Sequence, residues 1–196
     1  MYLFAFLMSW LQSAHSDQLP AAVFSDVPII TEIITETSVG KAKIGMQTTE
    51  LRKVYQGCTF QPVFVTRYGW YGEGDTPSGI QVAQGKQPLF VYFEDEEKPG
   101  KISGLIALHT AYRTTKNIGV GSTSGALRAA LPGITIGQDL MDDYDQNLQV
   151  ASAKGSRSAI SYAFAKQKDV GSYSKDFSSP IVVSTARISW ITVFPK

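Results

Sequence analysis

Apolar residues along this chain recur mostly at every second position and only twice at helical spacing. The runs "CTFQPVFV" (58–65), "GIQVAQGKQPLFVYF" (79–93), "KISGLIAL" (101–108), "NLQVASAKGSRSAISYAF" (147–164) and "RISWITVF" (187–194) read as strands with one face turned to a core. "TEIITETSV" (31–39) reads as a further strand ahead of the first helix. "EDEEKPGK" (94–101) and "AKGSR" (153–157) have the Gly, Pro and charge content of hairpin ends. Helical spacing appears at Leu51, Val54 and Tyr55, and again at Leu127, Ala130 and Leu131. Many strands joined by hairpins, with two short helices, predict an α+β fold with mainly antiparallel strands.

The two helical stripes sit in stretches that resemble each other. "KIGMQTTELRKVYQG" (43–57) is echoed 76 positions later by "GVGSTSGALRAALPG" (119–133), pairing Gly45 with Gly121, Leu51 with Leu127, Arg52 with Arg128 and Gly57 with Gly133. A capping box needs Ser or Thr at the N-cap and Glu or Gln three residues later, and each stretch keeps half of it. Gln47 with Glu50 keeps the acidic partner, and Thr123 with Ala126 keeps the hydroxyl. Gly57 and Gly133 suit the left-handed residue that ends a helix, so each helix is expected to run about three turns. The echo extends to 79–93 against 147–164 and to 101–108 against 187–194. The expected organisation is therefore a signal peptide (1–16), a leader (17–27), and two similar α+β halves (28–110 and 111–196) packed as one unit. Two unrelated amphipathic helices in one α+β domain remain the alternative.

Composition narrows the function classes. With 18 Lys and Arg against 17 Asp and Glu, the formal charge of +1 provides no field to gather nucleic acid. "MYLFAFLMSWLQSAHS" (1–16) joins an apolar run to Ala14-His15-Ser16, small residues at the two positions a signal peptidase inspects, which predicts cleavage before Asp17. The run is too short to span a bilayer and lacks a basic n-region, leaving open a start upstream. Export to the periplasm or beyond is the expectation, with no membrane-spanning segment in the mature chain. Cys58 is the single cysteine, so no intrachain disulfide forms, and its setting in a strand-like run suits a small buried hydrophobe.

The stretches "TSVGKAKIGMQTTELRKVYQG" and "YRTTKNIGVGSTSGALRAALPG" resemble a pattern of secreted bacterial proteins of uncharacterised function, in which a strand, a Gly-flanked helix start and a Y-x-G ending occur in duplicate. They are more distantly similar to BamE-like small envelope lipoproteins, which share the Gly-Met helix start. The resemblance implies an exported envelope protein and transfers no catalytic residue. The lipid-bearing cysteine of those lipoproteins is missing here.

Catalytic patterns are sparse. His109 is the only histidine outside the signal region, and no G-x-S-x-G accompanies it. "GSTSG" (121–125) is accounted for as a helix start and lacks the phosphate-loop spacing and its Lys-Ser/Thr pair. Asp143, Asp145 and Asn147 alternate like the opening of a calcium loop, but Leu148 stands where the loop needs Gly and Lys154 where it needs Glu. No cofactor motif or catalytic or metal-binding set is present.

The stretch with most chemistry is "RYGWYGEGDTPSG" (67–79), where Tyr68, Trp70 and Tyr71 alternate with glycines, Glu73 and Asp75. Aromatic faces on flexible backbone make a ligand platform, and the alternative is a long hairpin whose aromatics fold back on the core. The expectation is an exported, non-enzymatic envelope protein that binds a protein or envelope component, a glycan included, through Tyr68, Trp70, Tyr71, Glu73 and Asp75. The competing reading is a hydrolase acting on an envelope polymer through carboxylates such as Glu73, Asp75 and Asp143.

Overall fold

The alternating runs line up in one large sheet. The computed structural model describes residues 32–70, 78–95, 97–139, 147–153, 158–173 and 178–195. The first part of the chain forms β1 (Glu32–Thr35), β2 (Ser38–Val39), β3 (Ala42–Lys43), α1 (Thr48–Val54), β4 (Thr59–Val63), a 3-10 turn (Val65–Tyr68), β5 (Gly79–Gln84), β6 (Gln87–Glu94) and β7 (Ile102–Ala107). The second forms β8 (Tyr112–Thr114), α2 (Ser124–Ala130), β9 (Ile134–Gln138), β10 (Gln149–Ala153), β11 (Ile160–Phe164), β12 (Ser178–Pro180) and β13 (Trp190–Val193). The large sheet has the order β12-β9-β10-β11-β13-β7-β6-β5-β4, antiparallel throughout. A four-stranded sheet, β3-β2-β1-β8, contains the one parallel pair among the described residues, β1 with β8. The fold is α+β with mainly antiparallel strands, as the strand-rich pattern predicts.

Two local expectations differ from the structure. The 31–39 run folds back on itself as β1 and β2 because its polar centre makes its own turn. Thr35 Oγ1 accepts from the Thr37 N–H at 3.2 Å and meets Ser38 Oγ at 2.7 Å. Each helix has seven residues, closer to two turns than three. Tyr55 and Leu131 already leave helical geometry, and Gly57 (φ 89°) and Gly133 (φ 85°) then redirect the chain in the conformation expected of them.

Period-two alternation separates the two faces of the large sheet. Phe90, Tyr92, Leu105, Ala107, Tyr162, Phe164, Ile191 and Val193 point to a near face covered by the helices and the small sheet, which add Leu51, Leu127, Ile34, Val39 and Tyr112 to one core. Leu51 and Leu127 are fully buried, each removing roughly 1.5–3 kcal/mol worth of apolar side chain from water. The intervening residues Val91, Ile106, Ala163 and Trp190 form a second cluster on the far face with Val65 and Leu148.

The same backbone hydrogen bonds recur around both helices. The Gly45 N–H donates to Ile102 O at 2.7 Å and the Gly121 N–H to Ile188 O at 2.8 Å. Ile102 N–H returns to Met46 O, and Ile188 N–H to Ser122 O, both at 3.0 Å. Thr48 N–H meets Gly100 O at 2.8 Å, and Ser124 N–H meets Ala186 O at 2.7 Å. Each helix start is thus tied to the residues that lead into β7 or β13, and these two strands lie side by side in the middle of the large sheet.

Candidate functional site

Connections between strands bring the aromatic stretch onto the far face. After β4 the chain makes its 3-10 turn, and Gly69 ends that turn in the left-handed conformation (φ 75°). Val65 reaches back over Gly79, where an added Cβ would lie 2.5 Å from Val65 Cγ1. The Tyr68 ring meets Trp190 edge-on at 5.4 Å between centroids. Trp70 lies 4.9 Å from Phe93 and 4.6 Å from Phe194, and those two phenylalanines stack at 5.7 Å. Such aromatic pairs contribute about 0.5–1.5 kcal/mol each beyond their buried area. Tyr68 and Trp70 are therefore half-buried packing elements whose rings meet β13 through Trp190, β6 through Phe93, and Phe194 just after β13. Burial pushes the Tyr68 phenol above its ordinary value, against a smaller opposite pull from Arg67.

The β9–β10 connection arrives at the same place. A Cβ at Gly69 would lie 2.4 Å from Leu148 Cδ2 and 2.9 Å from Asp139 Oδ2. The stems of the aromatic stretch and of the acidic 139–147 stretch thus touch over the middle of the far face. Tyr71, Glu73 and Asp75 lie outside the described residues, as do Asp143 and Asp145. Asn147, at φ 46°, donates through Nδ2 to Gln167 O at 2.7 Å, which ties its amide to the 167–169 segment.

Other polar groups that stood out in the sequence have structural partners. His109 Nδ1 accepts from the Ala111 N–H at 3.2 Å in the turn after β7, which leaves Nε2 to carry the proton of the neutral ring. Cys58 is half-buried just before β4, and burial raises its thiol pKa, which disfavours the reactive thiolate. Thr123 caps α2, its Oγ1 accepting from the Ala126 N–H at 3.1 Å, whereas the Gln47 side chain makes no cap bond. The "EDEE" turn is closed by Glu94 Oε2, which accepts from the Gly100 N–H at 2.8 Å, and by Asp95 Oδ1, which accepts from the Glu97 N–H at 2.9 Å. No group of three or more His, Cys, Asp or Glu side chains suited to a metal ion occurs among the described residues. No helix among them is long and apolar enough to cross a membrane.

Sequence reasoning singled out Tyr68 and Trp70 but not the residues that receive them. Trp190, Phe93, Phe194, Leu148 and Asp139 come from three separate stretches. The available signal was the placing of Trp190 and Phe93 on the opposite alternation phase from the near-face core, which marks a second apolar face without saying what covers it.

Comparison with protein-family models and with curated proteins finds no match. Among solved structures, the crystal structure of the uncharacterized protein yfeY from Escherichia coli is similar, with a TM-score of 0.53 and 15% identity, covering 85% of this chain and 99% of that one. At that identity the likeness is one of fold, so the arrangement described here is shared with an uncharacterised bacterial protein.

Proposed function

We propose that the chain is built from two copies of one strand–helix–sheet unit, and that it is an exported, non-enzymatic protein of the bacterial cell envelope. It binds a protein or envelope component on the far face of its large sheet. The binding reading rests on one observation: the aromatic connection after β4 and the acidic connection after β9 meet there, Gly69 against Leu148 and Asp139. Loops carried on a rigid sheet are where recognition residues concentrate, and Trp and Tyr offer large contact area at low entropic cost. Tyr71, Glu73 and Asp75 follow directly on this anchored stem. The two-copy reading is supported by the recurring hydrogen bonds at Gly45 and Gly121 and by the matching antiparallel bridges of Gln47 with Lys101 and Thr123 with Arg187.

Affinity capture from bacterial envelope extract tests the binding reading, comparing the chain with its Trp70→Ala/Tyr71→Ala variant. Retention of one component by the parent and its loss with a still cooperatively melting variant is the expected result. Equal retention by both folded proteins removes the loop from the binding account. Turnover of an envelope polymer that ends on replacing Glu73 or Asp75 would favour a hydrolase instead.

A further inference from the structure

We infer that the partner bound on the far face is a neutral glycan chain, lying along a row of hydroxyls that crosses the second half of the large sheet. The inference rests on the binding proposed above and names its ligand class. Strand register sets the row. Thr192 lies opposite Ser161 and Ser152 opposite Thr135. The β10–β11 ladder pairs Ala151 with Tyr162, and its next step brings Ser152 against Ser161. Along their strands these residues alternate with Ile191, Tyr162, Ala151 and Ile136, all of them in the near-face core, so the hydroxyls share the far face. With strands about 4.8 Å apart, a hydroxyl stands at every strand step from β13 to β9.

Two features distinguish this row from an ordinary solvated sheet face. Thr192 is only 5% exposed, yet its hydroxyl has no hydrogen-bond partner among the described residues, and neither have those of Thr135, Ser152 and Ser161. A polar group so enclosed normally finds a partner, because leaving one unmet costs stability. Each hydroxyl keeps a donor and acceptor sites for something outside the sheet. The second feature is the lack of charge beside the row. Val150 and Ala163 flank it on one side, and Phe194, stacked on Phe93, flanks it at the Thr192 end. Thr135, Val150, Ser152, Ser161 and Phe194 are half-buried, so solvent still reaches them. A charged partner finds no counter-charge at these positions. A sugar chain matches them, since it repeats neutral groups that both donate and accept and turns C–H faces to apolar neighbours.

Calorimetric titration of the chain with chitohexaose and with cellohexaose, two uncharged β-linked hexasaccharides, tests the inference. At least one is expected to bind, and Thr192→Val combined with Ser161→Ala to weaken it about 10-fold, as the loss of hydrogen bonds to the ligand requires. Melting separates recognition from folding. Because the Thr192 hydroxyl has no protein partner, Thr192→Val should melt no lower than the parent, whereas a lower melting temperature would show a structural role and count against the inference. Binding of neither sugar by the folded parent, or equal binding by parent and double variant, would overturn it. Should the double variant fail to fold, Ser161→Ala alone decides by the same comparison. An envelope component captured through Trp70 and Tyr71 while both sugars fail would remove the glycan and leave the binding proposal standing. Failure of capture and of both sugars would remove both.

Discussion

Ile106 on β7 lies opposite Thr192 on β13, and the pairs on either side, Leu105 with Val193 and Ala107 with Ile191, are related as if by a two-fold axis through that central pair. The relation arises because Ile102 and Ile188 stand at the same step after each helix tie, so corresponding strand positions differ by a constant 86. The largest departure in side-chain size between corresponding positions is glycine against tryptophan. Gly104 on β7 faces Phe93, whose ring occupies the space a Cβ would need, while the corresponding Trp190 on β13 faces Ala163.

Large and small residues thus exchange sides across the seam, and filling Gly104 should displace the Phe93 ring from Trp70 and Phe194. Gly104→Val is expected to destabilise by about 1–3 kcal/mol through overpacking, with Phe93→Ala added to it recovering part of the loss. Chemical denaturation of the two variants measures this. Equal loss in single and double variants would show that the ring is not what Gly104 accommodates.

Gln149 is fully buried in β10, where its Oε1 accepts from the Val170 N–H and the Tyr173 hydroxyl, both at 2.6 Å. It fastens the 165–173 excursion to the sheet. Gln149→Leu leaves those donors unpaired and should cost about 1–3 kcal/mol, with amide exchange quickening at Val170 ahead of β10. An unchanged denaturation midpoint would mean that water replaces the side chain without penalty.

Buried phenols predict a loss of stability in alkali. Burial, with the Glu36 carboxylate adding to it, raises Tyr162 to about 12, and burial with Asp169 raises Tyr173 to about 12. Tyr112 is raised further by burial, then by Tyr55 and Glu32. Below the ordinary phenol value of 10.0 the folded and unfolded chains hold these protons alike, so the full stability is present. Above it the unfolded chain releases protons that the folded one keeps, and stability falls as pH climbs toward about 12. A urea midpoint that stays flat in this respect up to about pH 10, then falls with tyrosinate appearing in the unfolding step, is the expected profile. Titration of every tyrosine near pH 10 with the fold intact would contradict it.

Much of this architecture was legible in the sequence, for local reasons. Alternation assigned Phe90, Tyr92, Leu105 and Ile191 to one face, since a pleated strand leaves little choice once its neighbours are set. Gly57 and Gly133 announced where each chain reversal follows its helix. What stayed hidden depends on partners far along the chain. The Ser178–Pro180 strand has no alternation and is a strand because β9 offers it an edge. The two-residue strands β2 and β3 exist through their hairpin pairing. Glycines around Tyr68 and Trp70 suggested a free platform, and the choice between platform and packing rested with Trp190 and Phe194, more than a hundred positions away.

The central claim, that the far face of the large sheet is the functional surface, is met most directly by site-specific photocrosslinking in bacterial cells. A photoreactive residue replaces Trp70 in one protein and the exposed Val182 in another. The account predicts one discrete crosslinked product from position 70 and none from position 182. Folded proteins that give no product at 70, or the same product at both, would contradict it.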